Sequence, residues 1–312
     1  MLNKIEFRRK RDFGEILNVS FTFIRQNYQP IFKSLLFIAG PFILVGSVLP
    51  GLLFSPSFGT EEGGLSQVDF TQVIVNVLSF VVGSVMAVGV VYEYMLLYEK
   101  NDGAPLKTGE VWKAVRKSFF RILITIIGMV VLLGGGFFLA GVVAFNVMNG
   151  VLAFFLLISG GTYLTVVFSI LLIVSLSERV HFFKAIIRCF TLMQGSWWLT
   201  FALLFICGVV QGAMVTVVFL PFSFLGASED LFSPSANSFT SSLIVVALAG
   251  IVFILSVTLS FCLTLIVSGF QYFSLVEQKE ATGLLKRIQD MGSPASPARD
   301  LYEDSEEDSE SN

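Results

Sequence analysis

Six long apolar stretches punctuate the chain, at roughly 34–54, 73–97, 122–145, 151–176, 198–225 and 242–275. Each can supply the ~20 apolar residues that a helix needs to cross the hydrocarbon core of a bilayer. The pattern predicts an all-α integral membrane protein with six transmembrane helices and five connecting loops. The first loop, Ser55 to Gln72, and the fifth, Gly226 to Ser241, are too short to fold as domains, and the third, near Asn146 to Gly150, is a tight turn.

Three of the intervening polar segments show a helical alternation of apolar and charged positions. In the first, Asp12 and Glu15 have the spacing of a capping box. Phe13, Ile16, Leu17, Phe21, Ile24 and Tyr28 then form one face, with Glu15, Asn18, Thr22, Arg25 and Gln26 opposite. Pro30 is expected to end or kink this helix before the first span. The second segment starts at Thr108, the expected N-cap. Its apolar stripe is Val111, Trp112, Val115 and Phe119, and its polar face Glu110, Lys113, Arg116, Lys117 and Arg121. In the third, Phe182, Phe183, Ile186, Ile187 and Phe190 alternate with Lys184, Arg188 and Thr191. Phe21-Thr22-Phe23-Ile24 aligns with Phe190-Thr191-Leu192-Met193, and Trp112-Lys113-Ala114-Val115 with Phe183-Lys184-Ala185-Ile186. The simplest account is three parallel copies of an interfacial amphipathic helix followed by a helical hairpin, unlike the inverted repeats of many transporters.

Charge orients this arrangement. All 20 Lys and Arg residues fall before the first stretch, in the second and fourth loops, or after the last stretch. The first, third and fifth loops carry no basic residue. Short basic loops stay cytoplasmic, so both termini are expected on the cytoplasmic side. The amphipathic helices then form either a collar, with Arg25, Lys113, Arg116, Lys117, Lys184 and Arg188 reaching anionic lipid headgroups, or a docking surface for a protein partner. The first 30 residues lack an uninterrupted apolar core, so the first span is expected to act as an uncleaved insertion signal.

The domain reading follows: a basic cytoplasmic N-terminus over 1–33, a six-span membrane domain over 34–276, a short cytoplasmic helix over 277–291, and an acidic tail over 292–312. The tail carries seven acids from Asp300 to Glu310 and cannot bury a core. The overall charge of −3 therefore says nothing about nucleic acid, and none is expected as a partner.

Chemistry is sparse. Charge buried in lipid is costly, so ionisable residues inside spans are functional candidates. Glu93, within Tyr92-Glu93-Tyr94, is the one acid well inside an apolar run. It reads either as an interfacial carboxylate near Lys100 or as a proton or ligand group. Gln211 lies inside Gly208-x-x-x-Gly212, where small residues permit close helix approach and an amide bonds across helices. Gly83-x-x-x-Ala87, Gly134-Gly135-Gly136 and Gly160-Gly161 suggest further tight contacts. Cys189, Cys207 and Cys262 avoid the outer loops, so no extracytoplasmic disulfide is expected. His181 is the only histidine and reads as a solvated interfacial residue. No GxSxG, HExxH or P-loop motif is present. No catalytic residue, metal or cofactor is expected.

Arg11-Asp12-Phe13-Gly14-Glu15-Ile16-Leu17, then Phe23-Ile24-Arg25-Gln26-Asn27 and Gly40-Pro41, resemble uncharacterised six-span proteins of Bacteroidetes-type bacteria. Phe190-Thr191-Leu192-Met193 with Trp197-Trp198-Leu199, and Glu280-Ala281-Thr282-Gly283-Leu284-Leu285, extend the resemblance over most of the chain outside the acidic tail. The layout is also similar to the membrane domain attached to some glycerophosphodiester phosphodiesterases. Their catalytic domain is soluble and has no counterpart here, so no hydrolase activity is implied. The resemblance implies a bacterial inner-membrane protein. The expected function is non-enzymatic: a scaffold or accessory subunit of a membrane assembly. The alternative is a transporter or channel-like protein for a lipid or small apolar solute.

Overall fold

Nine α-helices make up the regular structure among the described residues of this computed structural model, which are 5–42, 70–101, 103–104, 106–147, 150–227 and 239–281. They are α1 (Phe13–Ile38), α2 (Phe70–Lys100), α3 (Thr108–Val130), α4 (Gly136–Val147), α5 (Gly150–Phe168), α6 (Leu171–Ser177), α7 (Phe182–Met193), α8 (Trp197–Ala227) and α9 (Phe239–Glu280). A π-helical turn, Val131–Gly135, joins α3 to α4. Five helical stretches are long and apolar enough to cross a membrane: Val77–Lys100, Thr108–Ala144, Gly150–Ser177, Trp197–Val217 and Ser260–Glu280. They overlap five of the six apolar stretches. Of the stretch at 34–54, residues 43–54 lie outside the described residues, as do most of the first and fifth loops and positions 282–312.

The two central helices are α2 and α9. Tyr92, Tyr94 and Met95 of α2 and Val267 and Phe270 of α9 are fully buried. Their approach depends on Gly269: a Cβ there would lie 2.7 Å from Met95 Cε and 2.9 Å from Met95 Sδ. Around this pair, α8 packs along α9, α3 along α2, and α1 against both. Phe7, in the segment before α1, inserts between them, with ring centroids 5.0 Å from Phe270 and 5.3 Å from Phe273. Phe23 of α1 meets Tyr98 at 5.2 Å and Phe270 at 5.6 Å, both nearly edge-on, the favoured geometry for aromatic quadrupoles.

Burial is concentrated toward one end of the bundle. Residues 85–92 of α2, 265–275 of α9 and 166–168 and 170–176 of α5 and α6 are buried. By contrast, α4 and the first part of α5 expose large apolar side chains such as Phe138 and Phe155. A polypeptide in water would not leave so much apolar surface bare, whereas lipid tails cover it at no cost.

α1 runs through Pro30 to Ile38 as one helix, so of the two outcomes expected at Pro30 the helix does not end there. Its buried face is also rotated from the expected stripe, being Ile16, Ser20, Phe23, Asn27 and Ile31, while Phe21 and Tyr28 are 49% and 57% exposed. The face turned to α2 and α9 buries Ile16, Phe23 and Ile31, and it admits Ser20 and Asn27 because their polar atoms find partners within α1 and on α2. Ser20 Oγ donates to Ile16 O at 2.7 Å, and Tyr94 Oη donates to Asn27 Oδ1 at 2.9 Å. The capping box forms as its spacing predicts, with Asp12 N–H donating to Glu15 Oε2 at 3.3 Å.

Two further corrections concern α3 and α7. The N-cap of α3 is Lys107, and Thr108 is already helical; its hydroxyl instead accepts from Ser34 Oγ at 3.4 Å, tying α1 to α3. In α7 the buried residues are Ala185, Cys189, Leu192 and Met193, while Phe183 and Ile187 point outward. The aligned positions Phe23 and Leu192 are both fully buried, but Val115 is buried where its counterpart Ile186 is half-buried.

Gly128 of α3 offers a test of helix contact. A Cβ on it would lie 2.7 Å from the Phe182 ring. Gly128→Ala is expected to cost about 1–3 kcal/mol of stability, the usual range for overpacking. In a Phe182→Ala background the same change should cost much less, read from thermal unfolding in detergent. Equal costs in both backgrounds would exclude this contact as the cause.

Candidate functional site

The reversal between α6 and α7, the segment preceding α1 and the last turn of α9 bring Arg188, Arg8, Arg11 and Lys279 to the well-buried end of the bundle. There a polar latch joins α6, α7 and α9. Arg188 Nε donates to Glu178 Oε1 at 2.9 Å, and its other arm pairs with Glu280. Tyr272 Oη donates to the same Glu178 oxygen at 3.3 Å. Partial burial opposes the Arg188 charge, but its hydrogen bonds to Glu280 and Glu178 outweigh that and raise its pKa. Lys279 Nζ donates to the carbonyls of Thr191 and Gln194 at 2.9 and 3.1 Å, closing the C-terminal end of α7, where a cation is favoured. The reversal between α6 and α7 passes through Arg179 at φ 53°.

The segment before α1 is held by a second cluster. Arg8 Nε bonds Glu99 Oε1 at 2.8 Å, which raises its pKa. The Arg11 guanidinium is buried, donating to the carbonyls of Phe7 and Glu6 and lying 5.7 Å from the Phe270 ring centroid. Burial lowers its pKa, and neighbouring Arg9 adds to that. Arg11 N–H donates to Ser274 Oγ at 3.1 Å.

The residues singled out in the sequence separate into distinct places. Arg188 is engaged by two carboxylates of the protein. Arg25, Lys113, Arg116, Lys117 and Lys184 are exposed, with no ion pair among the described residues. Glu93 is half-buried on α2, between two fully buried tyrosines. Gln211 lies half-buried on α8, where its Oε1 accepts from Thr264 of α9 at 3.5 Å. Gly208 and Gly212 face open space, and a Cβ on either would meet nothing within 4 Å. Gly83 and Ala87 are buried on α2. Gly134, Gly135 and Gly136 sit in and beside the π turn, with open space around them. His181 is the exposed N-cap of α7.

Sequence reasoning missed three features. Gly89, Gly128 and Gly269 make close approaches, yet none belongs to a small-x-x-x-small pair identified above. Tyr92 Oη and Gln271 Oε1 are buried without a hydrogen-bond partner among the described residues, on the two central helices. Between the end of α1 and the start of α3 lies an open, mainly apolar groove of about 360 Å3. One wall is Phe37, Ile38, Pro41 and Phe42; the other is Thr108, Gly109 and Trp112. Trp112 stood out beforehand as part of an apolar stripe, Thr108 as an expected N-cap and Pro41 within Gly40-Pro41, with nothing to join the two walls.

No family model, curated protein or solved structure matches the chain. Among the described residues, no group of three or more His, Cys, Asp or Glu residues gathers where a metal could bind.

Cys189, on α7, is fully buried. Burial pushes its thiol up to about 12, with Glu178 adding to the shift and Arg188 opposing it. Nucleophilic attack needs the thiolate. Cys189 should therefore resist maleimide at neutral pH in the folded protein and react after denaturation, as read from the mass of its peptide. Labelling of folded Cys189 at the rate of a free thiol would contradict this burial.

Proposed function

We propose that the chain is a non-enzymatic multi-pass inner-membrane protein acting as a scaffold or accessory subunit of a membrane assembly. The observation that carries this reading is the filled centre of the bundle. Met95 and Tyr92 close against Gly269, and Phe7, Phe23 and Phe270 fill the space beside them. A packed centre favours a fixed platform over a conduit, and the apolar outer faces of α4 and α5 offer surface to lipid or a neighbouring subunit. In this reading the chain has six spans, with the basic end and both termini cytoplasmic, in accord with the location of its Lys and Arg residues. The three amphipathic segments mark three copies of one unit, and the resemblance to bacterial six-span proteins points the same way.

Native mass spectrometry of the full chain, purified in mild detergent or native nanodiscs, tests this. A membrane or cytoplasmic protein retained at a fixed stoichiometry is expected. A solitary, partner-free chain at native expression level overturns the scaffold reading.

One observation favours the alternative, a transporter for a lipid or small apolar solute. The π turn at Val131–Gly135 contains Gly134 and Gly135 and is followed by Gly136 in an exposed helix, and such turns are frequent at functional sites. Glu93→Gln and Gln211→Ala should then reduce lipid transfer in reconstituted vesicles while leaving expression intact. Full transfer by both variants would remove these side chains from the mechanism.

A further inference from the structure

The groove between α1 and α3 combines an apolar floor with a cationic surround. Phe37, Ile38, Pro41 and Phe42 offer hydrocarbon contact, and Trp112 supplies an indole of the kind that favours membrane interfaces. The volume of about 360 Å3 falls at the small end of ligand sites, room for a segment of an acyl chain and its glycerol attachment but not for a folded protein element. The positions continuing each wall are basic. Lys107 directly precedes Thr108. Lys113 lies one turn beyond Gly109, and Arg116 one turn beyond Trp112, on the same faces of α3. On α1, Lys33 lies one turn before Phe37. All four are exposed and have no ion pair among the described residues. Glu110 is the acid nearest in sequence, one position round the helix from Gly109. The N-cap of α3, Lys107, makes no side-chain cap, so the positive end of the helix dipole adds to the field of the lysines.

We propose that this groove is a binding site for an anionic phospholipid, its acyl-glycerol portion against Phe37, Phe42 and Trp112 and its phosphate held by Lys113 and Arg116, with Lys107 adding to the positive field at the start of α3. Apolar lining alone would accept any lipid, and basic residues alone would attract any anion. Their juxtaposition on two helices tied together by the Ser34–Thr108 hydrogen bond selects a molecule that carries both a chain and a negative headgroup. The site is independent of the scaffold reading, because it concerns what the membrane supplies rather than what the protein assembles with.

Trp112 reports on the groove directly. The chain has three tryptophans, so Trp197→Phe with Trp198→Phe leaves Trp112 as the only indole in the full-length protein. This variant is reconstituted into phosphatidylcholine vesicles containing equal mole fractions of brominated phosphatidylglycerol or brominated phosphatidylcholine. The phosphatidylglycerol should quench Trp112 with an apparent preference of about fivefold or more, the contribution of a single basic residue at an anionic surface. Lys107→Gln, Lys113→Gln and Arg116→Gln together should abolish the preference, with unchanged helix content by circular dichroism. Gly109→Leu separates the groove from the general basic surface: Gly109 lines the groove and a Cβ there meets nothing within 4 Å, so a leucine grafted at this position takes up groove volume. Loss of preference in Gly109→Leu, with every basic residue retained, supports the site. Its persistence would assign the preference to the surface charge alone and overturn the proposal. Equal quenching by both brominated lipids in the parent variant, or quenching by neither, would overturn it as well, the first meaning bulk lipid and the second a groove covered by protein.

Discussion

Gly269 has no side chain, and Met95 occupies the space where one would be. That substitution of one residue's atoms for another's lets α9 and α2 approach closely over their best-buried stretches. In lipid there is no hydrophobic drive between two apolar helices, so packing of this kind, with a few hydrogen bonds, must hold them. Everything described around the pair uses the surface it creates. α1 seats its small polar face on it, α8 follows α9, and α3 follows α2 with Val115 and Ile122 against Gly89. The aromatic cluster of Phe7, Phe23, Tyr98 and Phe270 fills the remaining space where these elements meet.

The polar interactions divide the same region into two fastenings. Arg188 with Glu178 and Glu280 joins α6, α7 and α9, and Arg8 with Glu99 joins the segment before α1 to α2. These pairs are only partly buried, so their energies are modest individually. Their value lies in geometry. Arg188–Glu280 and Arg8–Glu99 tie parts of the chain about ninety residues apart, while Arg188–Glu178 fixes the reversal between α6 and α7.

Length and composition made five membrane-crossing stretches legible, because a bilayer imposes its thickness on any helix that spans it. The faces of the amphipathic helices were less legible. Periodicity identifies an apolar stripe, but it assumes that apolar residues face the protein. In α1, lipid and protein compete for the same side chains, so Phe21 and Tyr28 turn outward while Ser20 and Asn27 turn inward. In α7 the same competition puts Phe183 outside and Ala185 inside. Close-packed glycines were poorly legible: the Gly208 and Gly212 pair faces open space, while the close approaches of Gly89, Gly128 and Gly269 fall at unpaired positions. Gly128 and Gly269 depend on one large neighbour each, Phe182 and Met95, which sit more than fifty and more than one hundred and seventy residues away along the chain. The groove beside Trp112 was invisible for the same reason: its two walls are joined only in space.

Phe7 and Arg11 bear on the order in which this protein can assemble. The ribosome makes them well before their partners Phe270, Phe273 and Ser274, which lie more than 250 residues further along the chain. Until α9 is inserted, the aromatic seat on α1 and α2 stays open, and the leading segment has nothing to lock onto. Docking of that segment therefore waits until α9 is in place, and a chain stalled before α9 would carry an exposed patch of Phe7, Phe23 and Tyr98 for quality control to recognise.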